Sequence, residues 1–464
     1  MKALTLGHVA ALANGTLESG SPDTNISRLS TDSRTLQAGD LFVPLRGENF
    51  DGHKFIEQAV TRGAAGAMVE KKWKGGTPRD FALIRVADTL VGYQTLAANY
   101  RASLPLKVIA ITGSNGKTST KDFVAATLAK KFRVTKTEGN FNNHVGLPQT
   151  MLAASRDDEI AVWEIGMNHP GEIAALARLA APDAAIITNV GVAHIEFMGS
   201  REAIAEEKGT LAEAVAASGT LILNADDAFS EGIAKRTRAK IILAGIDNGT
   251  VRATDITQHS TGSEFTILEG AHRCRAQLPV PGIHMVQNAM LAVAAGRAFG
   301  LSLEECAIGL ASTPLTKARL QIKEIAGIQF IDDSYNANPD SMKAALRTLV
   351  ELDADGRRIA VLGEMGELGA ESEGGHREVG EAAAALRIDE LIAVGEAGAA
   401  IARAAERAGL EKSVAVSSAD EAAELLEKSA APGDLILVKG SRSARMERVL
   451  EEFAKRQRAE EVAS

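Results

Sequence analysis

The run Ile111-Thr112-Gly113-Ser114-Asn115-Gly116-Lys117-Thr118 carries the plainest chemical signal in this chain. It follows the apolar stretch 107–112 and opens a helical pattern that runs to about residue 131. A glycine-rich turn at a strand-to-helix junction points successive backbone N–H groups at phosphate oxygens, and the helix N-terminus adds a positive dipole end. Lys117 would reach the β- and γ-phosphates, and the Thr118 hydroxyl would face magnesium. Gly113, Ser114, Asn115, Gly116 and Ser119 complete the cradle. The usual loop has a glycine five residues before Gly116; Ile111 stands there and Gly113 serves instead, so the loop is short. Such a loop alone means only nucleoside triphosphate binding, and a second magnesium ligand is needed. Glu164 closes the strand-like run Ala161-Val162-Trp163-Glu164, and His194 follows the stretch 185–189. Both fall at the carboxyl ends of expected strands, where ligands gather in open α/β sheets.

The elements that must hold these groups fall into three rhythms. Residues 1–86 mix short strand-like runs (40–45, 67–70, 82–86) with turn residues, which reads as a small α/β module. Residues 87–318 begin with a helix at 89–104, stopped by Pro105, and continue with strands at 107–112, 160–165, 185–189, 220–223 and 241–244. Helical patterns separate most of them, the signature of a parallel sheet covered on both faces. Residues 251–280 break that rhythm and read as an antiparallel insertion. Residues 319–464 alternate strands near 329–331, 359–362, 390–394 and 435–438 with Ala-rich helices, a second doubly wound unit without a GxGxxG fingerprint. The expected fold class is α/β in three domains: the amino-terminal module, a central P-loop sheet and a carboxy-terminal Rossmann-like sheet.

Composition narrows the partners. Asp and Glu number 60 against 51 Lys and Arg, a formal charge of −9, which argues against a general nucleic-acid binder. The two cysteines, Cys274 and Cys306, form no CxxC, so neither a disulfide framework nor a structural zinc site is legible. No apolar run reaches the ~18 residues of a membrane span. The start shows no convincing signal peptide, and a cytoplasmic location is expected.

Longer strings extend the reading. The loop Gly113–Thr118, the segment Thr137-Glu138-Gly139-Asn140-Phe141-Asn142-Asn143-His144 and the segment Asn189-Val190-Gly191-Val192-Ala193-His194 together resemble the Mur ligases, ATP-dependent amide-forming enzymes of peptidoglycan synthesis. The resemblance spans nearly the whole chain. Four further strings are similar to one branch of the family, which adds D-alanyl-D-alanine to UDP-N-acetylmuramoyl-tripeptide. They are Thr31-Asp32-Ser33-Arg34 with Gly47-Glu48-Asn49-Phe50-Asp51-Gly52-His53, then Asp332-Asp333-Ser334-Tyr335-Asn336-Ala337-Asn338-Pro339, then 362–369, then Val438-Lys439-Gly440-Ser441-Arg442.

The resemblance implies roles. ATP and two magnesium ions would be the cofactors, with Lys117, Glu164, His194 and Lys208 as catalytic residues. Magnesium would be held by Thr118, Glu164, His194 and Lys208. By its own pattern Lys208, in Glu206-Glu207-Lys208-Gly209, reads as a surface lysine; in the resembling family the lysine here is a carbamate formed with carbon dioxide, an anionic oxygen ligand suited to magnesium. Asn288 would meet the adenine, Arg319 the γ-phosphate, and Asp332, Tyr335 and Asn336 the rest of the nucleotide. Ala318 stands where glycine is usual before that arginine. Ser33, Arg34, Arg46, Asn140, Asn142 and Asn143 would face the UDP-peptide, and Asn336 and Asn338 the dipeptide. A monomer is expected, and the third domain is expected to close over the nucleotide. A folylpolyglutamate synthase would share the ATP core but lack the uridine-binding first domain; a P-loop kinase would lack the second doubly wound unit and the His194/Lys208 pair. A nucleotide-binding scaffold without activity would not need Glu164 and Asp332.

Overall fold

A computed structural model describes residues 4–463 apart from 48, 77–79 and 315, with side chains to 458. Glu48, in the string 47–53, lies outside that description. The chain groups into two compact units: residues to 110, 132–166 and 172–183 form one, and 111–131, 167–171 and 184 onward form the other.

In the first unit, a five-stranded sheet runs in the order Thr16–Ser19, Ala82–Val86, Gly66–Glu70, Leu41–Phe42, Leu29–Ser30. Only Thr16–Ser19 is antiparallel to its neighbour. All five residues of Gly66–Glu70 are buried, and Ala67, Val69 and Leu83 pack against Ile56 and Ala59 of the helix Ile56–Thr61. The strand expected over 40–45 shrinks to Leu41–Phe42, since Pro44 has no N–H to offer a ladder. Asp88 caps the helix Thr89–Ala102 by accepting from Val91 N at 2.9 Å. That helix buries Tyr93, Leu96, Ala97 and Tyr100, and the Tyr100 hydroxyl donates to Ala154 O at 2.8 Å. Val134–Lys136 and Ile160–Glu164 pair in parallel, which puts Glu164 at a carboxyl strand end.

The second unit holds two sheets. In the first, Ala184–Ile187, Thr220–Asn224 and Lys240–Gly245 are parallel neighbours. The expected antiparallel insertion is an extension of that sheet: Val251–His259, Gly262–Glu269 and His272–Leu278 continue it, joined through Ala244 opposite Val251. The helix Ile283–Ala298 is apolar nearly all round, as a helix enclosed in a core must be; it packs against this sheet and the helix Lys117–Leu128.

The second sheet has the order Gln321–Ile325, Ile328–Asp333, Leu435–Lys439, Arg358–Gly363, Glu390–Val394, Ser413–Val416. All neighbours are parallel except the edge hairpin Gln321–Ile325/Ile328–Asp333. Phe330, Val361, Ile436 and Phe453 lie in its core. Parallel order brings Asp332, Asp333, Lys439 and Gly363 to one end of the sheet, the carboxyl end where loops build sites.

Candidate active site

The phosphate loop is built by close backbone approach. Gly113 has φ +154° and Gly116 φ +80°. A Cβ at 113 would stand 1.8 Å from Thr188 Oγ1, and one at 116 would stand 2.6 Å from Asn288 Oδ1. Asn288, expected at the adenine, is thus packed against the loop itself. The loop is tied to the chain after Ala184–Ile187: Ser114 N donates to Asn189 O at 3.0 Å, Asn115 N to Asn189 Oδ1 at 2.9 Å, and Gly191 N to Ser114 Oγ at 2.8 Å. Lys117 Nζ donates to Gly113 O at 2.8 Å, so its stem already curls over the cradle. Thr118 and Ser119 are buried at the start of the helix Lys117–Leu128.

Lys208 corrects the pattern-based reading of a surface lysine. It is 1% exposed, on the helix Arg201–Glu213. Burial holds its amine well below the ordinary lysine value; the Lys117 charge pushes the same way and Glu207 opposes. Glu207 is itself engaged, accepting from Gly171 N at 2.8 Å.

His194 sits at φ +65°, in the left-handed region, at the head of the short helix Ile195–Met198. Strain of this kind in a non-glycine residue, of order 1–3 kcal/mol, persists where its surroundings fix it. Those surroundings include the carboxyl end of the second sheet. His194 Nδ1 lies 2.7 Å from Glu367 Oε2, with that oxygen off the axis of the ring N–H. The contact draws the Glu367 carboxyl below the usual range, burial opposing it. Glu196 N donates to Glu367 O at 3.4 Å and Val192 N to Asp340 Oδ2 at 3.2 Å. Asn338 Nδ2 reaches the phosphate loop at Asn115 Oδ1, 2.7 Å away. Phosphate loop, His194 turn and second-sheet loops therefore converge.

Other expected nucleotide residues surround the entry to that sheet. The Arg319 guanidinium lies 4.2 Å above the Tyr335 ring centroid. Its flanking residues Ala318 and Leu320 both have positive φ (+58° and +49°), which gives the physical reason a glycine suits position 318. Asp332 is buried and turned into its own sheet, accepting from Lys323 Nζ and Ser334 Oγ at 2.6 Å each. Asp333 instead accepts from Leu320 N at 3.3 Å and from Lys439 Nζ at 2.5 Å. Lys439 also donates to Asn336 O at 3.0 Å. Asn338 caps the helix Pro339–Glu351, its Oδ1 accepting from Ser341 N at 3.0 Å.

In the first unit, Glu164 is 3% exposed, accepting from Asn142 Nδ2 at 2.8 Å while its own N–H donates to Thr137 Oγ1 at 2.9 Å. Asn142 N donates to Asn140 O, and Asn143 Oδ1 accepts from Val145 N and Gly146 N at the head of the helix Gly146–Ala153. Ser33 is buried; Arg34 is exposed and forks onto Asp32, holding that carboxyl down at about 2. Arg46 pairs with Asp51 and Glu70.

Among the described residues no three His, Cys, Asp or Glu side chains form a metal cage. Magnesium needs none, because it keeps several waters and takes one or two carboxylates with substrate phosphates. The hydroxyl of Thr118 and the carboxylate of Glu164 are hard oxygen donors of the type it prefers. Glu367, Asp340, Lys439 and His376 are the residues that motif reading did not single out. Glu367 and Lys439 lay inside quoted strings, but nothing in those strings tells which carboxylate faces His194.

Comparison with known proteins gives three matches to the Mur ligase family: residues 25–77 to its catalytic domain, 111–296 to its middle domain and 318–442 to its glutamate ligase domain. The chain is 41% identical to the UDP-N-acetylmuramoyl-tripeptide--D-alanyl-D-alanine ligase of Bacillus subtilis, over 97% of this chain and 98% of that one. It superposes on MurF from Acinetobacter baumannii with TM-score 0.90 at 33% identity, covering 98% and 99% of the two chains. The MurF ligase of Thermotoga maritima, solved in complex with ADP, gives 0.82 at 28% identity, covering 93% and 98%.

Proposed function

Because this chain belongs to the Mur ligase family, we infer that it is the ATP-dependent ligase that joins D-alanyl-D-alanine to UDP-N-acetylmuramoyl-tripeptide in peptidoglycan precursor synthesis. The observation that carries the reading is the convergence of the phosphate loop, the His194 turn and the loops bearing Asn338 and Glu367. A carboxylate is a poor electrophile, so amide formation must first phosphorylate it. The peptide carboxylate takes the γ-phosphoryl group of ATP, giving an acyl phosphate and ADP. The dipeptide amine attacks the acyl carbon, and the tetrahedral intermediate expels phosphate and leaves the pentapeptide.

Each residue has a physical task in this proposal. Two anions must meet, so Lys117 and Arg319 supply donors where charge spreads in the transfer. Gly113, Ser114, Asn115, Gly116, Thr118 and Ser119 cradle the phosphates, and Asn288, Asp332, Tyr335 and Asn336 line the nucleotide. Thr118, Glu164, His194 and Lys208 as carbamate would hold two magnesium ions. Bound magnesium would neutralise phosphate charge and orient the transferring oxygens. The neutral amine that burial favours at Lys208 is the form that reacts with carbon dioxide. Ser33, Arg34, Arg46, Asn140, Asn142 and Asn143 would bind the UDP-peptide, with Asn336 and Asn338 on the dipeptide side. Residues 1–86, 87–318 and 319–464 act as uridine-binding, ATP-binding and closing domains, and the closed form keeps water from the acyl phosphate. We place the reaction in the cytoplasm, with the protein a monomer. Among the described residues no helix is long and apolar enough to cross a membrane.

The test is phosphate release from Mg-ATP and the UDP-tripeptide, with and without D-Ala-D-Ala, in bicarbonate buffer. Release that needs both substrates, with a pentapeptide product by mass, is expected. Release driven by folate and glutamate instead would overturn the substrate assignment and keep the ATP core.

A further inference from the structure

We propose that Glu367 is a positioning residue for His194, setting which ring nitrogen is free, and that it does so only while the second sheet's loops are docked. The inference rests on the reading of His194 as a magnesium ligand. A neutral imidazole carries one N–H and one lone pair, and the partner of one nitrogen decides the other's role. Glu367 Oε2 stands 2.7 Å from His194 Nδ1. A carboxylate accepts and does not donate, so it favours the tautomer with hydrogen on Nδ1. The lone pair then lies on Nε2, the nitrogen left for a ligand. The same carboxylate–histidine arrangement orients metal-binding histidines in general.

The contact belongs to a built grip. Residues at the carboxyl end of the second sheet, on the helix Pro339–Glu351 and the loop after Arg358–Gly363, hold the His194 turn at three backbone or side-chain points: Asp340 Oδ2 accepts from Val192 N, Glu367 O accepts from Glu196 N, and Glu367 Oε2 meets the ring. A Cβ at Gly369 would lie 2.9 Å from Glu196 Cγ, so this turn is in close contact with the start of the short helix. Glu367 is itself held at φ +59°. The loop before it is fixed by the buried His376, whose Nε2 accepts from Met365 N at 2.9 Å while Nδ1 donates to Ser372 O at 2.7 Å. Two non-glycine residues in the left-handed region, meeting side chain to side chain, mark an arrangement its surroundings over-determine. The carboxylate stands off the axis of the ring N–H, and the ring must turn to align the hydrogen bond, as catalytic contacts do in substrate complexes. Undocking the loop would remove the carboxylate and release the ring to either tautomer.

The test uses the full chain and two readouts that need no turnover. In metal-free protein, ring 15N shifts of His194, assigned by their loss in His194→Gln, should report hydrogen on Nδ1. Glu367→Ala should shift them toward a tautomer mixture. Glu367→Gln, whose side-chain oxygen still accepts, should restore the wild-type pattern. Manganese affinity in the presence of ADP, read by paramagnetic relaxation, should weaken about 10–100-fold in Glu367→Ala and recover in Glu367→Gln. Thermal midpoints show that each variant folds. Unchanged ring shifts in Glu367→Ala would overturn the proposal. Unchanged manganese affinity in His194→Gln would instead sink the metal reading of His194, while the ring shifts still decide the role of Glu367.

Discussion

Lys117 is where removal of a single cation tests the phosphate cradle most directly. Lys117→Ala should cost about 2.7–4 kcal/mol of barrier, on the scale of one preorganised donor, and so lower turnover roughly 10²–10³-fold; a phosphate-release assay with turnover near wild type would sink the assignment. Lys208 gives a prediction with a sign. Its amine is depressed in the folded state, so between its folded and ordinary values the unfolded chain binds the extra proton. Stability in carbon-dioxide-free buffer should therefore rise with pH through the range below the ordinary lysine value and level off above it. In Lys208→Met that rise should flatten, as measured by denaturant midpoints at two pH values. Lys208 also shows how far residue patterns reach. Preceded by two glutamates on a helix, it looks solvated, because periodicity cannot tell that the face bearing it is roofed over. Gly113–Thr118 was legible because its chemistry is local: glycines, lysine and threonine act within one turn.

At the scale of elements, the string 332–339 does more than its turn-forming residues suggest. Asn338 divides its side chain, spending Oδ1 on the cap of Pro339–Glu351 and Nδ2 on Asn115. Asn338→Ala should lose about 0.5–2 kcal/mol through the cap alone, and raise the KM for ATP in addition. Asn338→Ser should recover the stability, by retaining a cap acceptor, but not the KM; equal recovery of both would show that the bridge to Asn115 does nothing. The buried pair of Lys439 and Asp333 fixes the carboxyl ends of two neighbouring strands. Removing one partner leaves the other charge buried, so Lys439→Met should destabilise by about 3–5 kcal/mol in chemical unfolding. The central strands of this sheet could be read from their apolar runs. The edge strand Gln321–Ile325 could not, because it is half exposed and the adjacent Lys323 and Glu324 between its two isoleucines break the period-two pattern that marks a strand. Pairing with Ile328–Asp333 makes it a strand, and that is a non-local fact.

For the whole molecule, ligand binding should appear as stability. ADP with magnesium at about 100 times its dissociation constant should add roughly 2.7 kcal/mol. Hydrogen exchange should slow first in 111–131 and around 333–340, since those segments meet at the phosphate loop; protection confined to residues 1–86 would contradict the site. The bridge between Asn115 and Asn338 also bears on how a preparation ages. Asparagine side chains convert to aspartate when the next backbone nitrogen attacks the amide carbon. Pro339 offers Asn338 no N–H, so that end is protected. Gly116 follows Asn115 with the least steric cover of any residue, so chemical ageing would begin on the phosphate side. It would place a carboxylate where anions bind. While Asn338 pins the Asn115 amide the side chain is held from rotating to meet that nitrogen, so storage in the docked form should slow the one-dalton gain in mass of the peptide that carries Asn115.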